Sequence, residues 1–276
     1  MAIHPTAIIG PEARISPDAE IGPYVVIDGA VSIGPRVKIL AHAHLSGWTE
    51  IGAETQIHMG AVVGHLPQDR AFAPCRSFLT IGERNVIREY ATIHRGTQEG
   101  SSTIIGDDNF LMAFSHVAHN CQIGHRVTIC NGVLLAGYVS VGDGAFVSGH
   151  AAVHQFVRIG RLAMIGGLAR VNRDVPPFML VKGDSVIWAL NVVGLRRAGV
   201  ALGERRALRH AFRTLYRSEL NTSQALEALE RSADTNEVRE LVAFLRVSKR
   251  GACRYVRAQA TSEELAASVG DDDVIE

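Results

Sequence analysis

The sequence predicts an all-β solenoid, a parallel β-helix, followed by a small α-helical domain. Three observations carry this reading: aliphatic residues recur every six positions as far as Val171, glycines recur every eighteen, and helical spacing takes over after about residue 185.

Steps of six from Ile3 reach Ile9, Ile15, Ile21, Ile27, Ile33, Ile39, Leu45, Ile51, Ile57 and Val63, and resume in phase at Ile81–Ile93 and Ile105–Val171. Only Asp69, Cys75 and Glu99 break the series of 29 positions, of which a 47% apolar composition would fill about 14 by chance. Two residues before many of them stands a small or β-branched residue, such as Ala7, Ala19, Val25, Ser115 or Val133. In a strand, residues two apart share a face, so each hexad is a short strand followed by a turn. Gly34 and Gly52, and then Gly106, Gly124, Gly142 and Gly160, keep an eighteen-residue spacing. Three hexads therefore make one turn of a triangular prism, and these glycines are expected at a corner that demands positive φ. The prism should hold about nine to ten coils stacked ~4.8 Å apart.

The interruptions at 65–80 and 95–103 read as loops projecting from the prism, and loops on a rigid scaffold commonly carry binding groups. The domains expected are residues 1–185, the coil with its loops, and 186–276, with helices over about 186–197, 203–217, 223–232 and 236–249. Asn221 to Gln224 has the form of a capping box, and Gly251 follows the last helix.

Lys plus Arg and Asp plus Glu each number 28, so the 276-residue chain carries no field marking a general nucleic-acid or membrane binder. The balance hides a basic module: Arg196 to Arg257 holds fourteen Lys or Arg against seven Asp or Glu, and Glu263 to Glu276 returns six acids. That module suits either a solvated helix face or an anion-binding surface. No window approaches eighteen uninterrupted apolar residues, and no basic leader precedes an apolar stretch, so neither membrane insertion nor secretion is expected. Cys75, Cys121, Cys130 and Cys253 form no C-x-x-C pair and are too sparse for a disulfide framework, which fits a reducing cytoplasm.

The repeat also assigns directions, because inward positions are one or three above a multiple of six. No histidine occupies one: His116, His119, His125, His150 and His154 fall at outward or corner positions. Met112, Phe114, Leu134, Phe146, Phe156, Leu162 and Leu168 also fall outward, an apolar surface that a cyclic homotrimer would bury. His119, Gly137 and Gln155, eighteen apart, should form a column. A base one strand spacing from an unshielded glycine N–H outlines acyl-transfer geometry. The pairs His116 with His119, and His150 with His154, leave a zinc site of the gamma carbonic-anhydrase kind open. Spacing indicates no Cys-His or Ser-His nucleophile.

Over nearly its whole length the chain resembles the acyl-[acyl-carrier-protein]–UDP-N-acetylglucosamine O-acyltransferases. The resemblance is carried by Gln68-Asp69, Thr92-Ile93-His94-Arg95-Gly96-Thr97, His116-Val117-Ala118-His119, Val153-His154-Gln155-Phe156, Asp174-Val175-Pro176-Pro177 and Asn191-Val192-Val193-Gly194-Leu195-Arg196-Arg197. It implies a left-handed parallel β-helix in a cytoplasmic homotrimer that needs no cofactor or metal. It also implies the first step of lipid A synthesis in Gram-negative bacteria, transfer of a 3-hydroxyacyl chain from acyl carrier protein to the 3-hydroxyl of UDP-N-acetylglucosamine. On the same resemblance His119 is the general base and Gly137 the oxyanion-stabilising N–H. Asp69, His116, His154 and Gln155 would hold the sugar and diphosphate, and Asn191 and Arg197 the nucleotide. Gly167, with Met164, falls where the family accommodates the acyl chain, and a glycine leaves room for a longer one.

Four positions depart from the family's pattern: Ala71 for a lysine, with Arg70 beside it; Tyr138 for a histidine; Val193 for a glutamate; and Asn120 for an aspartate supporting the base. An amide orients an imidazole without stabilising imidazolium by charge, so a modest rate is expected. A related N-acyltransferase shares the His-x-x-His-Asn pattern but carries a domain before its repeats, whereas this ladder begins at residue 3. An amino-sugar nucleotide acceptor, the zinc enzyme and a noncatalytic scaffold are the other readings.

Overall fold

The computed structural model describes residues 2–256. Arg257 and the acidic run Glu263 to Glu276 lie outside the described residues. The chain winds into a left-handed parallel β-helix whose three faces are sheets of twelve, nine and eight strands. Inward aliphatics from Ile21 to Val171 form one continuous core, and Ile57, Ile87, Ile93, Leu111 and Ile129 are fully buried.

Consecutive coils pair at an offset of eighteen residues, as Ile8 with Val26. The offset grows to thirty at Gln56 with Val86 and to twenty-four at Thr92 with His116. The excesses of twelve and six are whole multiples of the repeat, which is why the aliphatic phase survives both interruptions. The loops are narrower than the sequence breaks: strands Val62–His65 and Phe78–Ile81 bracket the first, and Thr92–His94 and Ser102–Ile105 the second.

The glycine columns have a different cause from the one expected. Up to Leu168 the non-glycine residues with positive φ are instead all numbered by multiples of six, among them Tyr24 (57°), Asn120 (59°) and Tyr138 (61°). Gly34, Gly52, Gly106 and Gly142 have no positive φ. A Cβ on them would lie 2.9, 2.5, 2.6 and 2.6 Å from backbone atoms of the next coil, so close approach of coils selects glycine there. Leu162, expected outward, is only 8% exposed and belongs to the core cluster. Its carbonyl accepts a bond from Asn191 Nδ2, where the C-terminal segment covers the coil.

Residues 186–190 are a strand, not the opening of a helix. Val186–Leu190 pairs antiparallel with Met179–Lys182 and parallel with Arg254–Tyr255, extending one face of the prism. Val186, Ile187 and Trp188 suit a strand by their branched or aromatic side chains, and Gly183-Asp184-Ser185 supplies the turn. Among the described residues four helices follow: α1 (Val192–Arg197), α2 (Leu202–Tyr216), α3 (Thr222–Ser232) and α4 (Asn236–Arg246). The capping box of α3 forms as expected, with Asn221 Oδ1 accepting from Gln224 N at 3.0 Å and Gln224 Oε1 from Asn221 N at 3.1 Å. α4 docks on the coil through Arg161 to Glu240 at 2.8 Å and Arg158 stacked 4.2 Å over Phe244. Buried Asp174 accepts from Arg158 N at 3.0 Å and from Ser248 Oγ at 2.8 Å, tying the end of that helix to the last coils.

Candidate active site

One face of the prism carries a cleft of about 1190 Å³, roofed in part by the first loop. Six of the residues singled out in the sequence line it: Asp69, His116, His119, Gly137, His154 and Gln155.

Coil stacking places His119 directly on Gly137: Tyr138 N donates to His119 O at 3.0 Å, and Phe156 N to Gly137 O at 3.1 Å. At the corresponding point of another corner the coil's unused N–H groups are capped, Glu83 N by Asp107 Oδ1, Asp107 N by His125 Nδ1 and His125 N by Asp143 Oδ1. Among the described residues no protein acceptor caps Gly137 N. The cleft therefore offers a free donor beside an imidazole, as the column suggested.

His119 Nδ1 lies 3.0 Å from Asn120 Oδ1. That oxygen also faces Thr97 N at 3.1 Å and Thr97 Oγ1 at 2.9 Å. A backbone N–H can only donate, so the carboxamide presents its oxygen to this cluster, and His119 Nδ1 carries the proton. Nε2 is left as the acceptor. Tyr138 completes the group, its hydroxyl 3.2 Å from Thr97 Oγ1 and its ring edge-on to His119 at 5.3 Å.

His116 Nδ1 bonds Thr92 Oγ1 at 2.8 Å, and its ring lies 5.2 Å from His94. Burial, followed by the neighbouring His94 and His119, pushes the His116 imidazole down to about 4, so it acts at neutral pH as an uncharged hydrogen-bonding group. Burial likewise lowers His94. Asp69 sits exposed on the first loop where it lines the cleft, with Oδ1 accepting from Ala71 N at 2.9 Å. His154 Nδ1 lies 3.1 Å from both Arg250 Nη2 and Gln155 O, and Arg250 Nε donates to Asn172 O at 3.3 Å.

The remaining candidates stand apart from the cleft. Asn191 caps α1, accepting from Gly194 N at 3.0 Å while Nδ2 donates to Leu162 O at 2.8 Å, so both ends of its amide are used within the chain. Arg197 is exposed in the last turn of α1, and Val193 beside it is exposed as well. Met164 lies in a strand of the coil, and Gly167 is exposed, where a Cβ would meet Gly149 O in ordinary contact at 3.5 Å. Among the described residues no three His, Cys, Asp or Glu side chains converge to hold a metal ion, and no helix is long and apolar enough to cross a membrane. All four cysteines are free.

Sequence reading did not single out Thr92, Thr97 or Arg250 for these contacts. Thr92 and Thr97 act across the six-residue insertion, where the eighteen-residue column rule misses them by one repeat. Arg250 arrives from the far end of the chain, where no periodicity points to the cleft.

Comparison with known proteins decides the family. A chain from Synechocystis named acyl-[acyl-carrier-protein]–UDP-N-acetylglucosamine O-acyltransferase is 48% identical over 248 residues, 90% of each chain. The chain belongs to this family. An O-acyltransferase of the same name from Syntrophobacter fumaroxidans is 41% identical over 92% of this chain and all of its own. The crystal structure of a UDP-N-acetylglucosamine acyltransferase from Bacteroides fragilis superposes with a TM-score of 0.87 at 40% identity, covering 91% of this chain and 100% of that one. The Arabidopsis enzyme gives 0.81 at 34% identity with the same coverage. Two family models match within the chain, the bacterial transferase hexapeptide over residues 102–137 and domain 2 of UDP N-acetylglucosamine O-acyltransferase over residues 174–253. The O-acyltransferase family anticipated from the sequence is thus the family found.

Proposed function

We propose that the protein transfers a 3-hydroxyacyl group from acyl carrier protein to the 3-hydroxyl of UDP-N-acetylglucosamine, the first step of lipid A biosynthesis. The observation that carries this reading is the proton-accepting Nε2 of His119 beside the uncapped N–H of Gly137 in an open cleft. His119 Nε2 takes the proton of the sugar hydroxyl as its oxygen attacks the thioester carbonyl carbon. The oxyanion of the tetrahedral intermediate accepts the N–H of Gly137. The carbon–sulfur bond then breaks, and the departing thiolate receives the proton from the imidazolium, which restores neutral His119. Asn120 orients the ring through Nδ1 and acts through it.

Asp69, His116, His154 and Gln155 line the same cleft and would hold the sugar and diphosphate. Arg197, from the exposed end of α1, would serve the nucleotide, and Asn191 would support it by capping that helix. In this reading the coil, residues 1–185, carries the chemistry, and the segment from 186 carries donor docking. Arg205, Arg206, Arg209 and Arg213 on α2 suit an acidic carrier protein, whose encounter charge would accelerate. Phe114, Leu134, Phe156 and Leu168 are exposed on the coil, as a homotrimer interface requires. The space at Gly167, near Met164, would admit a long acyl chain. The protein would work in the cytoplasm, where acyl carrier protein and the nucleotide sugar meet.

Product identification after incubation with UDP-N-acetylglucosamine and 3-hydroxyacyl-carrier-protein donors of several lengths tests the reading. The expected product is the 3-O-acyl nucleotide sugar; acceptance of short donors alone would remove the chain-length part. One observation favours a second acceptor. Asn120 cannot stabilise imidazolium by charge, and an amine nucleophile asks less of the base than a hydroxyl, so a 3-amino analogue competing in the same assay distinguishes the two.

A further inference from the structure

We infer that Thr97, on the loop between Thr92–His94 and Ser102–Ile105, is the positioning residue that selects the working tautomer of His119. The inference rests on His119 being the base. It follows from residue 120 being an amide. A carboxylate presents an oxygen whichever way it turns, whereas a carboxamide has one accepting end and one donating end. With the oxygen toward His119, as the geometry has it at 3.0 Å, Nδ1 is protonated and Nε2 accepts. With the amide reversed, the NH2 group would donate to Nδ1, the ring proton would move to Nε2, and the nitrogen facing Gly137 could take no proton from a substrate.

Thr97 opposes that reversal twice. Its backbone N–H (3.1 Å) and its hydroxyl (2.9 Å) both address Asn120 Oδ1, and a reversed amide would set NH2 against the backbone N–H. The Tyr138 hydroxyl, 3.2 Å from Thr97 Oγ1, supplies a donor to that oxygen and so directs the threonine proton onto Asn120. The loop is held still by its own bonds: Gly96 N to Phe78 O at 3.1 Å, Gly100 N to Arg76 O at 2.8 Å, and Gln98 N to Ser101 Oγ at 2.9 Å. Asn120 is fixed from below by its own N–H on Thr103 Oγ1 at 2.8 Å. The six-residue insertion thus delivers one threonine to the oxygen that decides where the proton of His119 resides.

The test is a double-mutant cycle on the full chain, read by kcat and by ¹⁵N shifts of the His119 ring. Thr97→Val is expected to lower kcat by about three- to tenfold, the worth of one hydrogen bond, with KM for the nucleotide sugar little changed. It should also raise the population protonated at Nε2. Thr97→Ser, which keeps the hydroxyl, should restore both readouts. In an Asn120→Asp background, Thr97→Val should change kcat by less than about twofold, because a carboxylate has no wrong orientation. Equal losses in both backgrounds, or ring shifts that do not move in Thr97→Val, would overturn the inference. If Thr97→Val does not fold, Tyr138→Phe carries the same expectation at smaller size, and unmoved ring shifts there overturn it equally. Failure of the underlying reading looks different: His119→Gln would retain activity whatever stands at position 97.

Discussion

The imidazole of His119 occupies the space that a methyl group at Gly137 would need: an ideal Cβ there lies 2.5 Å from Cε1 and 2.6 Å from Nε2. Gly137→Ala must therefore push the ring away from the amide it is paired with, while the φ of residue 137 needs no glycine. An ångström of misplacement at reacting groups costs about 100-fold, so kcat should fall by that order while KM for UDP-N-acetylglucosamine and thermal stability change little. Stopped-time assays and a melting curve on the same preparation check this; undiminished turnover would mean the ring does its work elsewhere.

Removing the proposed base gives a second expectation. His119→Ala should reduce acyl transfer by about 10²–10⁴, the range for a positioned general base, with nucleotide binding retained because the cleft residues proposed to hold the substrate, Asp69, His116, His154 and Gln155, remain. Titration with UDP-N-acetylglucosamine separates loss of chemistry from loss of the site.

The parts legible in the sequence are those governed by repetition. A strict hexad sets strand, face and column, so the core and the column of His119, Gly137 and Gln155 are legible from spacing, whereas Asp69, His116 and His154 are assigned by the family resemblance, Asp69 standing where the hexad breaks. The corner glycines are ambiguous in the sequence because one residue type answers two demands, positive φ and close approach, and only the coil-to-coil distance at Gly52 or Gly142 tells which applies. A short apolar run such as Val186–Leu190 suits either state, and it is a strand here because it pairs with Met179–Lys182 and Arg254–Tyr255. Thr97 and Arg250 depend on an insertion and on the return of the chain end, neither of which a period encodes.

His116 makes stability pH-dependent. Its imidazole falls from an ordinary 6.5 to about 4 in the folded chain, through burial and then through His94 and His119. The folded state therefore binds fewer protons than the unfolded one, so the contribution is complete above about 6.5 and is lost as pH falls toward about 4. At 1.36 kcal/mol per unit this is at most about 3 kcal/mol. Urea denaturation between pH 7.5 and 4.5 should show stability declining toward acid, with a shallower slope in His116→Gln. Identical slopes would mean that His116 is not held neutral.

Asp174 joins the two parts of the chain with a carboxylate only 1% exposed. It accepts from Arg158 N and Ser248 Oγ, with the Arg158 guanidinium at 3.9 Å. Asp174→Ala leaves these donors unpaired in the interior and should cost about 3 kcal/mol in chemical denaturation. A variant as stable as the parent would show that water replaces the carboxylate at no cost.

The same tether sets Arg250 over the cleft, and the last expectation follows from that. Arg250 bonds Asn172 O at 3.3 Å and places Nη2 3.1 Å from His154 Nδ1, both neighbours lining the cleft. The guanidinium adds a fixed positive charge beside His154, whose Nδ1 also lies 3.1 Å from Gln155 O. The diphosphate of a nucleotide sugar is the part of the substrate that such a pair would hold. Arg250→Ala should raise KM for UDP-N-acetylglucosamine about tenfold, the worth of a charge-assisted bond, with kcat nearly unchanged because His119 and Gly137 are untouched. Arg250→Lys should recover only part of the affinity, since an ammonium cannot bond Asn172 and His154 in one plane. If instead kcat falls and KM does not, Arg250 serves the chemical step and the diphosphate lies elsewhere in the cleft.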